Sequence, residues 1–204
     1  ADALVFGSTA HEVLAKYHDG SLAPDALGTA WDQLWSQATQ GAITYGCDRT
    51  PEGLQAIGRA LFDAYHGVWS ATGFVTLRTP QGGPFVEQRL FVRIPRAQVL
   101  FEGVIDLGAT RQDQTVILDH KTPGSKPDPA FAEKSDQLLA YQALYDAHAP
   151  LQGLPPLTHL GVAALVKRAI PKTSRGTVPE VLPPSLVERR SATDVATYWE
   201  KVAD

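Results

Sequence analysis

Two aspartates and a lysine stand where their charges could do chemistry together. Asp106 and Asp119 each follow a run of apolar residues with the pattern of a β-strand. A carboxylate at the end of an apolar strand is costly to bury unless it has a partner or a metal ion. Because side chains alternate along a strand, Asp119 and Lys121 project from one face and His120 from the other. We therefore expect two acids and a lysine to share one site.

The connection between the two acidic segments predicts how closely the carboxylates approach. A tight hairpin centred between Gln112 and Asp113 would place Asp106 directly opposite Asp119. Directly opposed residues have Cβ atoms about 4.5–5.5 Å apart, so these carboxylates would repel each other unless a divalent cation bound both. Oxygen ligands of this kind favour Mg²⁺ or Mn²⁺, and such a site with Lys121 suits phosphodiester hydrolysis. The alternative is a solvated hairpin end whose charges pair without catalysis.

A basic segment late in the chain supplies candidate contacts to phosphate. Its cations are Lys167, Arg168, Lys172 and Arg175. Lysine and arginine provide the salt-dependent part of nucleic-acid affinity, and a solvated strand end is the alternative interpretation. The net charge of −4 does not exclude a nucleic-acid partner, because the carboxylates of an acidic metal site count against locally clustered cations.

The composition limits the class of protein. With 204 residues and 44% hydrophobic residues, the chain can bury one core but is too short for two ordinary domains. Its single cysteine, Cys47, excludes an internal disulfide and an iron–sulfur cluster, and it favours an intracellular, cytoplasmic location. No segment approaches the ~20 apolar residues of a membrane helix, and we expect no secretory signal. The absence of methionine fits either a processed chain or a piece of a longer protein.

The spacing of apolar residues changes along the chain from a helical to a strand period. Trp31 and Trp35 lie at helical spacing and are expected in a helical core with Trp69, and Thr50 followed by Pro51 is typical of a helix start. Strands are predicted over residues 74–77, 86–94, 99–107, 115–121, 160–166 and 178–182. Further helices are predicted over residues 130–147 and 192–202.

This order of elements predicts a single α/β domain, with helices around a mixed sheet. The domain would cover residues 1–204. Within it we distinguish a mainly helical part, a sheet core that carries the acids, and a C-terminal helix, over residues 1–72, 73–182 and 183–204.

Four short motifs resemble those of PD-(D/E)XK nucleases of the RecB type. In chain order they are Gly7-x-x-x-His11, Gly103-x-Ile105-Asp106, Asp119-His120-Lys121-Thr122 and Gln137-x-x-x-Tyr141. The resemblance runs from residue 6 to about residue 172. It implies the restriction-endonuclease-like core of that family, an α/β (α+β) fold in which a mixed central sheet is flanked by helices.

The resemblance also implies ligands for the metal ion. His11, Asp106 and Asp119 match the metal-binding positions of the family. The backbone carbonyl of His120 is a further ligand, since the residue between the acid and the lysine often coordinates in this family. The expected ion is Mg²⁺ or Mn²⁺.

Catalytic roles follow from the same resemblance. Lys121 matches the catalytic lysine, which acts beside the two aspartates. Gln137 and Tyr141 lie four residues apart, hence on one helical face, and match a pair near the active site and the nucleic-acid path. Glu87 matches the upstream acidic residue of the family. Tyr141 as a half-buried core residue is the alternative.

The function implied is that of a metal-dependent deoxyribonuclease, with exonuclease action favoured over endonuclease action. Its substrates would be single-stranded DNA or duplex ends, in DNA repair or recombination, and a helicase or recombination protein could be its partner. The alternatives are a structure- or sequence-specific endonuclease and a non-catalytic DNA-binding subunit of a nuclease complex.

The remaining histidines are expected to have structural roles. His18 lies seven residues after His11 and could share its helix face, but it adjoins Asp19 at a predicted helix end. A positive charge is favourable at a helix C-terminus, and this is the role expected for His18.

Overall fold

The computed structural model describes residues 2–46, 49–94, 99–171 and 178–203. Three helices come first: α1 (Asp2–His18), α2 (Leu27–Ala38) and α3 (Pro51–Ala71), with a 3₁₀ turn at Pro24–Ala26. The helix start predicted at Thr50 is confirmed, because its side chain accepts a hydrogen bond of 3.0 Å from the backbone N–H of Gly53.

Seven strands form one sheet. They are β1 (Val75–Thr76), β2 (Val86–Arg93), β3 (Leu100–Arg111), β4 (Gln114–Lys121), β5 (His159–Val166), β6 (Glu180–Val181) and β7 (Ser185–Glu188). The order is β1-β3-β4-β5-β6, while β2 also pairs with β3 and β7 with β5. Thr158, just before β5, donates its backbone N–H to Thr115, near the start of β4, at 2.9 Å. These two strands therefore start at the same end and run parallel, whereas β1, β2 and β4 run antiparallel to β3. The predicted mixed sheet is confirmed.

Three more helices complete the chain, and one prediction about them is wrong. They are α4 (Phe131–Lys134), α5 (Asp136–Gln152) and α6 (Ala192–Ala203). The single helix predicted over residues 130–147 is divided at Ser135, whose backbone is extended with φ −76° and ψ 109°. The Ser135 side chain accepts a 3.2 Å hydrogen bond from the backbone N–H of Leu138 and so begins a new helix.

The ends of several strands also differ from the prediction. β3 continues to Arg111, four residues beyond its predicted end at residue 107, because it pairs with β4 right up to the turn. The predicted strand 178–182 contracts to β6, and β7 was not predicted. β7 has four residues, too few for its alternation to stand out from a loop.

The chain divides into two compact units, and helices build the core of the first. This unit comprises residues 1–73, 120–127 and 163–183. The Phe6 ring lies 4.7 Å from that of Trp31, which stacks on Trp35 at 5.3 Å. Gly58 permits this packing, since a Cβ there would lie 2.0 Å from the Trp31 ring. The predicted burial of Trp31, Trp35 and Trp69 is confirmed.

In the second unit a helix covers a sheet. The unit comprises residues 74–119, 128–162 and 184–204. Apolar side chains of α5, including Leu138, Leu144 and Tyr145, are fully buried in one cluster with side chains of β2 to β5. Gln142, also fully buried, donates to the backbone carbonyl of Arg190 and accepts from its N–H, at 2.9 and 2.8 Å. These hydrogen bonds hold the segment before α6 against α5.

Candidate active site

The β3–β4 hairpin has the register predicted from the sequence. Its ladder runs from Leu107 opposite Leu118 to the two-residue turn Gln112–Asp113. Asp106 and Asp119 occupy the next position of this register, beyond Leu107 and Leu118. Both are buried, with 6% and 1% of their surface exposed. The register therefore places the two aspartates opposite each other on neighbouring strands.

Glu87 on β2 extends this pair to a row of three acids. In the β2–β3 ladder, the pairs on either side of Glu87 leave it opposite Asp106, so the row Glu87, Asp106, Asp119 crosses β2, β3 and β4. Glu87 and Asp106, both in the second unit, each bring a carboxylate oxygen to within 4.8 Å of the other, a spacing at which both could bind one metal ion. A row of like charges of this kind is unfavourable without a cation.

The backbone at Glu87 is strained. Its φ is 47°, in the left-handed region that non-glycine residues rarely adopt inside a strand. Gln112 also has a positive φ, of 51°, but it lies in a hairpin turn where such values are usual. Strain at an acidic residue within a strand is typical of a site where side-chain direction matters more than local stability.

Tyr141 on α5 lies within electrostatic reach of the acid row. Burial, followed by the negative charges of Asp106 and Asp119, raises its pKa above the usual value for tyrosine, so the hydroxyl stays neutral. Gln137, one helical turn earlier, donates from Nε2 to the Tyr141 hydroxyl oxygen at 2.8 Å. The two residues that the sequence placed on one helical face are therefore in contact.

β4 sends successive side chains to opposite faces. Asp119 and Lys121 share one face, whereas His120 points the other way and is 3% exposed. The His11 Nε2 atom lies 2.9 Å from the backbone carbonyl oxygen of His120. The two groups that the family resemblance implies as metal ligands are therefore adjacent to each other.

The available donors fit a hard divalent cation. In the second unit they are the carboxylate oxygens of Glu87, Asp106 and Asp119. In the first unit they are the imidazole nitrogen of His11 and the backbone carbonyl of His120. An oxygen-rich set of this kind suits Mg²⁺ or Mn²⁺, and a single imidazole is compatible with either.

Behind His120 lies a buried hydrogen-bonded chain of three aromatic residues. His18 Nε2 lies 2.8 Å from the Tyr65 hydroxyl, which lies 3.3 Å from His120 Nε2. Burial holds the pKa of His120 well below its ordinary value. Burial also raises the pKa of Tyr65. All three groups are therefore neutral near pH 7.

The expectation for His18 is wrong. Its side chain is buried, and burial lowers its pKa to about 3, with only a partial opposing effect from Asp19. His18 is thus a neutral hydrogen-bonding residue and not a cation at a helix end. The sequence signal was its spacing of seven residues from His11, which is two helical turns and puts both side chains on one side of α1.

The predicted phosphate-binding residues are only partly described. Lys167 is half-buried, its Nζ lies 5.1 Å from the centre of the Phe6 ring, and its backbone N–H donates to Pro123, two residues beyond Lys121. Arg168 forms an ion pair of 3.4 Å with Glu180. Lys172 and Arg175 lie outside the described residues. Lys126, which the sequence did not single out, also pairs with Glu180, at 2.9 Å.

Comparison with known proteins identifies the family. The model of the PD-(D/E)XK nuclease superfamily matches residues 1–202. No curated protein matches the chain. Of the described helices, none combines the length and the apolar character needed to cross a membrane.

Proposed function

The chain belongs to the PD-(D/E)XK nuclease superfamily, a group of metal-dependent nucleases, and we propose that it is a Mg²⁺- or Mn²⁺-dependent exonuclease that degrades DNA from its ends. The observation that carries the proposal is the row Glu87, Asp106 and Asp119 across three neighbouring strands, with Lys121 on the same face of β4 as Asp119. Such a row of carboxylates suits a hard divalent metal ion.

Each residue of the site has a role in the proposed reaction. Asp106 and Asp119 hold the ion, and His11 and the carbonyl of His120 complete its ligands. When bound, the divalent ion supplies Lewis-acid stabilisation of the scissile phosphate and lowers the pKa of a bound water. The Lys121 ammonium group orients the attacking water and offsets negative charge that develops on the phosphate. Water attacks directly, without a covalent intermediate on the protein.

Tyr141 acts as a neutral hydrogen-bond donor. Its oxygen accepts from Gln137 at 2.8 Å, so its hydrogen is directed away from Gln137 and can be donated to a phosphate oxygen. The raised pKa of Tyr141 serves this role, because a phenolate beside three carboxylates could only repel the substrate.

The basic segment positions the DNA backbone. Lys167 is bonded through its backbone to Pro123, in the loop that follows Lys121, and this connects the basic segment to the end of β4. Lys167 and Arg168 contact phosphates in this proposal, and Lys172 and Arg175 are further candidates on charge alone. Action on DNA ends would suit DNA repair or recombination inside the cell, alone or beside a helicase.

The test is Mg²⁺-dependent shortening of end-labelled linear DNA, single- and double-stranded. We expect progressive loss of the label with wild-type protein and no detectable loss with Lys121→Ala. Lys201→Ala is the matched control, because Lys201 is an exposed lysine of α6 paired with Asp136 at 3.1 Å, and it should match the wild type. Equal activity of wild type and Lys121→Ala would refute the mechanism.

Closed circular DNA separates exonuclease from endonuclease action. An exonuclease leaves the circle intact, so nicking or linearisation would instead identify an endonuclease. Titration with Mn²⁺ tests the remaining alternative, since a non-catalytic DNA-binding subunit would neither bind the ion at this site nor cut either form of DNA.

A further inference from the structure

The series of buried, hydrogen-bonded side chains behind β4 ends at His120, whose backbone carbonyl is a proposed metal ligand. We propose that His18 and Tyr65 are positioning residues that hold the His120 peptide, and with it the His120 carbonyl and the His11 ring, in the geometry that binds the metal ion. The inference rests on the proposed function, because that function makes His11 and the His120 carbonyl ligands.

A continuous series of contacts links His18 to His11 through Tyr65 and His120. His18 Nε2 and the Tyr65 hydroxyl are 2.8 Å apart, and the same hydroxyl is 3.3 Å from His120 Nε2. The carbonyl of the same residue, His120, is 2.9 Å from His11 Nε2. His11 and His18 both belong to α1, so this helix holds His120 by its side chain as well as by its backbone.

Ring packing restricts the same residues further. The rings of His18 and His120 stack with centroids 5.7 Å apart and planes 26° from parallel. Trp69 closes the other side of His18, edge-on at 4.6 Å. With Tyr65 2% exposed and both imidazoles nearly as buried, rotation of the His120 ring would require several neighbours to move.

The shared hydroxyl couples the two imidazoles. A tyrosine hydroxyl has one hydrogen to donate, so it can donate to one Nε2 atom while it accepts from the N–H of the other. His18 and His120 then have opposite tautomers, one protonated at Nε2 and one not. The position of the hydrogen on one ring therefore determines its position on the other, and the hydrogen bond to Tyr65 holds the His120 ring in its orientation.

A second tyrosine–histidine pair in the same unit provides a matched comparison. The Tyr17 hydroxyl lies 2.7 Å from His66 Nδ1, also between α1 and α3, and this hydrogen bond does not involve His18 or His120. Tyr17 and Tyr65 are in edge contact, with ring centroids 5.6 Å apart. Tyr17→Phe and Tyr65→Phe each remove one tyrosine–histidine hydrogen bond between α1 and α3, and only Tyr65→Phe removes a hydrogen bond to His120.

The first experiment examines the metal-free wild-type protein by ¹⁵N NMR of the histidine rings. We expect opposite tautomers for His18 and His120, seen as one protonated and one unprotonated Nε2. In Tyr65→Phe, the signals of His120 and His11 should both shift, whereas Tyr17→Phe should move only that of His66. The same tautomer for His18 and His120, or an unchanged His11 signal in Tyr65→Phe, would overturn the inference.

The second experiment measures Mn²⁺ affinity by calorimetry. Tyr65→Phe should weaken binding by about 10–100-fold, the usual effect of losing a residue that orients a ligand. Tyr17→Phe should stay within about twofold of the wild type on the same argument. Equal affinities of the two variants would overturn the inference while leaving the proposed function intact. A wild-type protein that binds no Mn²⁺ would overturn both.

A pair of substitutions at His18 covers the case in which Tyr65→Phe does not fold. In His18→Gln, the side-chain amide can still donate to the Tyr65 hydroxyl, so Mn²⁺ affinity should be largely retained. His18→Leu has a similar size without a hydrogen-bonding group and should show the full loss. Equal Mn²⁺ affinities of His18→Gln and His18→Leu would contradict a positioning role.

Discussion

Two consecutive residues of β4 belong to regions of opposite physical character. Asp119 is part of a row of three carboxylates, in which Glu87 has a strained backbone with φ 47°. His120 is part of a buried network in which neutral groups satisfy one another and aromatic rings fill the space between them. Strand alternation alone sends these two side chains to different surroundings.

Stability is distributed unevenly between the acid row and the histidine–tyrosine network. The acid row combines three like charges with a strained backbone at Glu87, and a bound cation would reduce the repulsion among the carboxylates. In the histidine–tyrosine network, each buried polar group has a partner, so the network adds rigidity where the row lacks it. Changes in the two regions should therefore affect activity and stability in different ratios.

The largest effect is expected for Asp119→Asn, which removes one charge of the acid row at constant size. DNA cleavage should fall on the order of 10³-fold or more, because the ion loses a central ligand. The metal-free protein should be at least as stable as the wild type, since repulsion from Asp106 disappears. Cleavage rates with saturating Mg²⁺ and thermal unfolding in EDTA would measure these two effects.

Glu102→Gln is the control for that substitution. Glu102 also lies on β3, but it is exposed and pairs with Arg89. Its removal should leave the cleavage rate within about threefold of wild type, as is usual for surface substitutions outside a site. If Glu102→Gln reduced cleavage as much as Asp119→Asn, the acid row would not be the centre of the reaction.

A change of pH tests the neutral network. His18 binds a proton near pH 6.5 when unfolded and near pH 3 when folded, so between these values the unfolded state holds more protons. Stability should therefore fall as the pH drops below 6.5, by about 1.4 kcal/mol at pH 5.5 from His18 alone. The lowered pKa of His120 also makes the folded state less stable as the pH falls.

Urea unfolding at pH 7.5 and 5.5 would measure this dependence. The loss of stability between pH 7.5 and 5.5 should be smaller in His18→Gln, because the buried imidazole of His18 is then absent. An identical pH dependence in wild type and His18→Gln would show that His18 is not held neutral by the fold.

Strain at Glu87 should appear as a stability gain when it is relieved. Glu87→Gly should stabilise the metal-free protein by roughly 0.5–1 kcal/mol, the relief of a left-handed residue less the chain entropy of glycine. Glu87→Gln keeps the backbone strain and removes only the charge. A larger gain for glycine than for glutamine in chemical unfolding would separate strain from repulsion, and equal gains would argue against strain.

The smallest effect is expected in the basic segment. Arg168→Gln should weaken DNA binding a few-fold and reduce the slope of log affinity against log salt by about 1, as for one lost phosphate contact. Arg59→Gln is the control, since Arg59 is an exposed arginine of α3 paired with Asp32 at 2.7 Å. If the slope of log affinity against log salt is unchanged in Arg168→Gln, Arg168 does not contact a phosphate of the DNA.

The regular part of the fold was predictable because apolar period and turn residues are local signals. Thr50 and Pro51 identified the start of α3, and the turn at Gln112–Asp113 fixed the hairpin register. The break at Ser135 was missed because a serine inside a helical pattern either caps a helix or points to solvent. Four-residue β7 was missed because its pairing with β5 joins residues far apart in the chain.

The family motifs and the opposed aspartates follow from the sequence, since both depend on spacing within short segments. The same holds for Gln137 and Tyr141, which lie on one helical face. The strain at Glu87 and its position opposite Asp106 became visible in the folded chain, because they depend on how β2 pairs with β3. The tertiary structure also decided that His18 is neutral and bonded to Tyr65, since the pKa of a side chain depends on burial, which spacing along one helix does not reveal.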